Sequence, residues 1–327
     1  MIKIIDLYCG IGGIRLGFEQ AAKNLKIATK CVLSSEIDKF CIKTYVSNFG
    51  VSNFFGDLTK LNSKNEILKI LPNFDLLLAG FPCQPFSRAG KKKGFQDKRG
   101  NHFFIINEIL KVKKPKAFLL ENVKFLKSHD NGNTLKKMLK KLRKNYYVPD
   151  PEVLNSKNFG LPQNRDRIFI VGFLKKNSEV FQFPKPRYKI IKLGKILEKY
   201  VSKKYTISDK LWSGHIKRKI RHKKNGNGFG FSIFDKNSPY TNTLSARYHK
   251  DGSEILISRG KNKNPRMLTE RECARLQGFS DDFKIPVSKV RAYQQFGNSV
   301  SVNVIKAIAI NIFIYFNKQI TLIKKAS

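Results

Sequence analysis

Through the first 175 residues, short apolar runs alternate with segments of helical period. The runs at Lys3–Cys9, Lys30–Ser35, Phe74–Gly80, Lys116–Glu121 and Arg167–Phe173 are apolar at successive positions and read as strands buried on both faces. Apolar residues three and four apart near Gly13–Lys23, Asp38–Asn48, Ser63–Leu71, His102–Val112 and Thr134–Arg143 predict helices. Strands separated by helices in this rhythm imply βαβ units. The expected fold is therefore α/β, a doubly wound, mostly parallel sheet with helices on both faces.

The rhythm stops near residue 175. From there to Pro265 the chain is loop-rich and basic, with a Lys/Arg cluster at Lys217–Lys224 running into Asn225-Gly226-Asn227-Gly228-Phe229-Gly230. Short stretches such as Tyr240–Ser245 and Glu254–Ser258 follow, without long helical periodicity. Helical patterning returns at Thr269–Gln277, where Thr269 and Glu272 have capping-box spacing, and at Val300–Phe316. Three regions are expected: 1–175 as one domain, 176–265 as a smaller loop- and strand-rich domain, and 266–327 returning to the first.

Charge narrows the partners. The 327 residues carry 64 Lys and Arg against 24 Asp and Glu, a formal net charge of +40. Part of that excess fits a lysine- and asparagine-rich composition, yet uncompensated self-repulsion of this size favours a polyanionic partner, nucleic acid above a membrane surface. Five cysteines with no C-x-x-C pair, and five histidines without ligand spacing, argue against a disulfide framework and a metal site. The apolar run Val304–Phe316 is short for a bilayer and includes Lys306, so no membrane span and a cytoplasmic protein are expected.

Chemistry concentrates where strands end. Gly80-Phe81-Pro82-Cys83-Gln84-Pro85 follows the run Phe74–Ala79 and delivers a cysteine to the carboxyl end of a parallel strand, where ligands bind in open α/β sheets. Alone, the Pro82-Cys83 dipeptide is better read as an inert buried thiol, and the rest of the chain reverses that reading. Asp6-Leu7-Tyr8-Cys9-Gly10-Ile11-Gly12-Gly13 joins the first strand to the first helix. Arg15 stands where a dinucleotide fingerprint needs its third glycine, which disfavours a nicotinamide enzyme but not another nucleoside cofactor. Glu36 after the second strand is placed to grip ribose hydroxyls, and Asp57 after the third to accept from an adenine amine.

These segments, with Glu121-Asn122-Val123, Gln163-Asn164-Arg165-Asp166-Arg167, Arg271–Arg275 and Gln295–Val300, stand in one order along nearly the whole chain. In that order the chain resembles the bacterial cytosine-C5 DNA methyltransferases. The resemblance implies a large domain binding S-adenosylmethionine and a smaller target-recognition domain. It implies that Cys83 adds to C6 of a flipped cytosine, with Pro82 and Asn122 shaping the pocket, Glu121 at N3 and Arg165 and Arg167 nearby. It places Asp6, Tyr8, Gly10, Gly12, Gly13, Glu36, Ile37, Asp57, Asn298, Ser299 and Val300 at the cofactor, with Tyr8 and Ile37 against adenine where many relatives carry Phe and some Trp.

Gln84, Ser87, Arg88, Lys91 and Arg99 lie in a long basic segment, Phe81–Asn101, whose closure over extruded DNA would offset the cost of base flipping. Thr243 and Leu244 match the recognition domain's Thr-Leu pair, and Arg247 is suited to guanine or to a phosphate. The region around them resembles that of relatives modifying the inner cytosine of CCGG, CCWGG or CCNGG. Double-stranded DNA is the expected partner of a monomeric enzyme, beside a cognate restriction endonuclease. An RNA (tRNA) cytosine methyltransferase and a non-catalytic DNA-binding protein are the other two classes these features admit.

A basic footprint this large predicts that affinity for duplex DNA falls steeply between about 50 and 200 mM salt, as phosphate contacts release counterions. A titration at several ionic strengths measures it, and a flat profile would contradict the charge reading.

Overall fold

The computed structural model describes residues 1–50, 53–61, 63–82, 101–174, 180–186, 190–226, 228 and 230–326, with backbone only at 101 and 317–326. The chain forms two compact units. One comprises Met1–Leu154, Asp166–Lys185 and Val304–Ser327; the other comprises Asn155–Arg165 and Pro186–Asn303.

The first unit is built on strands β1 (Ile2–Leu7), β2 (Thr29–Ser35), β3 (Phe54–Phe55), β4 (Leu76–Gly80), β5 (Ala117–Val123), β6 (Glu152–Asn155) and β7 (Asp166–Phe173). They lie in the order β3-β2-β1-β4-β5-β7-β6. β1 to β5 run parallel, whereas β7 pairs antiparallel with β5, so the sheet is mostly parallel, as the alternating pattern implies. Helices α1 (Gly13–Asn24), α2 (Lys39–Phe49), α3 (Lys64–Ile70), α4 (Asn101–Lys113) and α5 (Asn133–Leu142) fill the connections. The chain winds outward from β1 to β3, crosses back to β4 and winds the other way. Right-handed crossovers then put the helices of the two halves on opposite faces. The winding reverses between β1 and β4, and the crevice for ligands lies at the carboxyl ends of those strands.

Local chemistry fixes these elements. Asp38 caps α2 by accepting from the amides of Phe40 and Cys41, and Ser63 with Glu66 forms a capping box on α3. Leu76, Leu77, Leu78 and Ala79 of β4 and Phe118, Leu119 and Leu120 of β5 have no measurable exposure. Continuous apolarity there is the signature of strands covered on both sides. Gly172 in β7 faces Phe118 across the ladder, and a Cβ on it would lie 2.2 Å from that ring.

The second unit holds α6 (Asp209–Lys224), α7 (Tyr248–Asp251), α8 (Glu270–Leu276), α9 (Lys289–Asn298) and one parallel pair, β8 (Ile233–Phe234) with β9 (Leu256–Ile257). Only those two short strands lie in it among the described residues, so the strand-rich expectation gives way to loops held by buried polar contacts. Arg266 makes a bidentate pair with Glu272, at 2.7 and 2.8 Å, and Glu272 also caps α8 with Thr269. Residues 266–303, expected to return with the first region, cluster in this unit because such bonds tie them to it. The basic run Lys217–Lys224, read as part of a loop-rich stretch, is the second half of a helix. Ser208 caps that helix, Asp209 opens it, and Arg221 to Lys224 close it in keeping with the helix dipole.

α10 (Val302–Ala326) re-enters the first unit, where Phe313 packs edge-on against Phe18 and Tyr315 against Phe173. α9 and α10 are separated by so few residues that the helical stretch Lys289–Phe316 is long and apolar enough to cross a membrane by composition. Its apolar window is 61% buried in the fold, which is how a core helix passes that test.

Gly172→Ala is expected to destabilise the protein by about 1–3 kcal/mol, because Phe118 must leave a packed position. Urea unfolding checks it, and an unchanged midpoint would mean that the ring yields freely.

Candidate functional site

At the carboxyl edge of the first unit's sheet the turn after β1 is the tightest feature. Tyr8 and Gly10 take positive φ, 54° and 53°, and Gly12, at φ 84°, caps α1 without a side-chain hydrogen bond. A Cβ on Gly12 would lie 2.3 Å from the Phe49 ring, so only glycine fits. Gly10 has open space where a side chain would stand, which leaves its backbone approachable. Gly13 is buried in the first turn of α1. Arg15 is held by Glu19, by the Tyr45 hydroxyl and over the Phe49 ring; it is a packing cation.

Glu36 braces this turn. Its Oε2 accepts from the Gly10 amide at 2.8 Å, and its Oε1 from the amides of Ile37 and Asp38. A carboxylate offers about four acceptor positions, so capacity is left for hydroxyl donors. Ile37 beside it is 75% exposed, an unusual state for an isoleucine at a strand end. Asp57 uses Oδ1 for the amide and hydroxyl of Thr59, contacts that hold its carboxyl below the usual range. Its Oδ2 makes no hydrogen bond among the described residues. Tyr8 presents its hydroxyl to His102 Nδ1 at 2.9 Å, the two rings meeting edge to face. Burial pushes the His102 ring below its usual range while Asp57 opposes the shift. His102 carries no motif, and sequence reasoning had no signal by which to find it.

Asp6 lies beneath the turn with no exposure, and neither carboxylate oxygen has a hydrogen-bond partner. Desolvation, opposed by Arg15 and reinforced by Glu19 and Glu36, raises its pKa to about 8. The unpartnered acid, the open backbone at Gly10 and the exposed Ile37 fit a nucleoside cofactor bearing positive charge.

Two strands over, Glu121 lies near the end of β5. Val123 pairs with Arg167 at the start of β7, so Arg167 and Glu121 share a face as diagonal neighbours. They form an ion pair at 3.2 Å, with both side chains mostly buried. Arg167 also donates to the Asp166 carbonyl. Gly80 stands opposite Glu121 on β4. Asn122 donates to the Phe81 carbonyl at 3.3 Å and so holds the chain just before half-buried Pro82. Cys83, Gln84, Ser87, Arg88, Lys91 and Arg99 lie outside the described residues. Among the described residues no group of three or more His, Cys, Asp or Glu could hold a metal ion.

The remaining expected site residues belong to the second unit. Arg165, 1% exposed, donates to the carbonyls of Leu244 (2.8 Å), Gly297 (3.1 Å) and Ser299 (2.5 Å). It lies one residue before β7. Leu244, expected at DNA, is fully buried; its amide is bonded to Gln163 Oε1, and burial of its apolar side chain is what holds it there. Thr243 donates to the Asn164 carbonyl. Gly297 sits so close to the main chain of Ser245 and Ala246 that a Cβ would lie 2.3 Å from it. Arg247 is exposed and makes no ion pair among the described residues. Asn298 is exposed, Ser299 half-buried and Val300 buried.

The state of Asp6 has a measurable consequence. The folded protein keeps this proton up to about pH 8, whereas an unfolded aspartate loses it near 3.8. The folded state therefore binds the extra proton across that window, and stability falls as pH rises through it. Asp6→Asn is expected to flatten this decline in the cofactor-free protein. Urea midpoints at pH 5 and pH 8 measure it, and parallel pH profiles for parent and variant would refute the buried-acid reading.

Comparison with known proteins agrees with this geometry. The chain matches the family model described as C-5 cytosine-specific DNA methylase over residues 2–313. The Type II methyltransferase M1.ScrFI of Lactococcus lactis subsp. cremoris is 56% identical over 310 residues, 94% of this chain and 77% of that protein. M.NlaX of Neisseria lactamica, also a Type II methyltransferase, is 55% identical over 309 residues, 94% of this chain and 95% of that one. Among solved structures, the Entamoeba histolytica methyltransferase EhMeth shares the fold with a TM-score of 0.78 at 23% identity, covering 98% of this chain and 99% of that one. The chain belongs to the C-5 cytosine-specific DNA methylase family and is a cytosine-C5 DNA methyltransferase.

Proposed function

We propose that the chain methylates carbon 5 of a cytosine extruded from a short palindromic site in duplex DNA, with Cys83 as nucleophile and S-adenosylmethionine as donor. The observation carrying this is the Glu121–Arg167 pair near the end of β5, beside the strand whose next residues lead into Pro82 and Cys83. The bound cofactor supplies an electrophilic methyl group on a sulfonium centre. The Cys83 thiolate adds to C6 while Glu121, oriented by Arg167, delivers a proton to N3; this makes C5 nucleophilic. After methylation, loss of the C5 proton expels the sulfur and restores the ring. Asn122 positions the Phe81 carbonyl and hence the start of the cysteine segment.

Glu36 holds ribose hydroxyls with its remaining acceptor capacity, Asp57 Oδ2 accepts from the adenine amine, and Tyr8 and Ile37 pack against the ring. Asp6 underlies the turn formed by Gly10, Gly12 and Gly13. The assignment of Asn298, Ser299 and Val300 to the methionine moiety rests on the family resemblance. Arg165 is a positioning residue: its donors hold main-chain carbonyls. The first unit carries cofactor and chemistry, and the second carries target recognition, with Arg247 as the base reader and Thr243 and Leu244 as its support. Gln84, Ser87, Arg88, Lys91 and Arg99 contact the DNA. We assign the enzyme to the modification half of a restriction–modification system, a cytoplasmic monomer acting beside a separate endonuclease, on the inner cytosine of a site beginning CC.

Labelled methyl transfer to duplex DNA and to tRNA tests this. Incorporation into DNA alone is expected, with a loss of more than about a hundredfold in Cys83→Ala. Bisulfite sequencing of the product reads the site. Parental turnover by the variant, or transfer to tRNA alone, would overturn the proposal.

A further inference from the structure

We infer that α6 is a docking helix for the DNA phosphate backbone, independent of base sequence, latched to the turn that carries Arg247. The inference rests on the DNA methyltransferase reading and assigns to it a contact surface on named residues.

On a helix of 3.6 residues per turn, Lys210, Lys217, Arg221 and Lys224 fall in one stripe about 60° wide. All four are exposed, and none has an ion pair among the described residues. The opposite side is the packed one. There His215 is buried, Trp212 meets Phe231 edge-on at 4.7 Å, and the Lys219 ammonium lies 4.5 Å from the centre of the same ring. A cationic stripe diametrically opposite the packed face is thus turned outward. Neighbouring cations along it are separated by roughly 5–10 Å of helix rise, a spacing commensurate with phosphates along one strand. Charge complementarity favours a polyanion.

Lysines on a solvated helix are commonplace; the latch distinguishes this one. His215 Nε2 meets the Asp251 carbonyl at 3.2 Å, and Arg218 bridges His215 Nδ1 (2.7 Å) and the Asp251 carboxylate (2.9 Å). Asp251 closes α7, the single turn that Arg247 opens. A helix seated on phosphates through its outer stripe would therefore fix the register of the exposed arginine on the adjoining turn. That division, phosphate contacts for position and base contacts for sequence, is general in DNA recognition.

The test compares two triple variants of the full chain. Lys217→Gln, Arg221→Gln and Lys224→Gln together remove the stripe. Lys136→Gln, Lys137→Gln and Lys140→Gln remove the same charge from exposed positions of α5. Binding to a duplex is measured from about 50 to 200 mM salt. Loss of three phosphate contacts is expected to reduce the log–log salt slope by about 2–3 in the first triple and by much less in the second, for cognate and unrelated duplexes alike. Methyl transfer by the first triple is expected to persist at low salt and saturating DNA.

Equal slopes in the parent and the first triple would overturn the inference, as would equal reductions in both triples, which would reveal only the effect of net charge. Exposed Ile216 and Ile220 flank the stripe, so vesicles containing phosphatidylserine are included. Loss of vesicle binding with an unchanged DNA slope would assign the helix to membranes and overturn it too. Should the parent transfer no methyl group to DNA, the broader reading fails independently of these slopes.

Discussion

The antiparallel pairing of β7 with β5 is the constraint on which the catalytic edge depends. Had the chain continued with another parallel strand, the start of that strand would lie at the amino edge of the sheet, a full strand length from Glu121. Reversal returns Arg167 to the edge where β4 and β5 end, in a register that makes it a diagonal neighbour of Glu121. Backbone hydrogen bonding thus sets the relative position of two charges, and partial burial keeps water from competing for them.

The turn after β1 depends on a different economy of groups. Glu36 satisfies three amides of the turn and its own helix entry, so the acid that offers itself to a ligand also shapes the backbone around it. Asp57 behaves alike, with one oxygen committed to Thr59. Asp6 differs from both. Its buried oxygens make no hydrogen bond among the described residues, a state tolerable chiefly because the group keeps its proton.

Much of this was legible in the chain. Continuous apolar runs marked the buried strands within a few residues, because a strand covered on both faces has no polar register to confuse the reading. Thr269 and Glu272, at capping-box spacing, marked the start of α8. Two-residue β3 and β8 were beyond any periodicity, and α6 was hidden because its residues are overwhelmingly polar and only a narrow face is packed. The ordered motifs named the site residues, but could not say what each touches. Arg165 shows why: it donates to main-chain carbonyls, groups every residue possesses, so no sequence letter betrays them.

That same anonymity has an evolutionary consequence. The segment from Thr241 to Ala246 is gripped through its backbone, by Arg165, Gln163, Asn164 and the close approach of Gly297. Side chains add to it: Thr241, Asn242, Thr243 and Ser245 each make a hydrogen bond, and Leu244 is fully buried, so the segment is a fixed frame. An exposed residue that follows such a frame, as Arg247 does, can be exchanged over generations while the frame itself stays still.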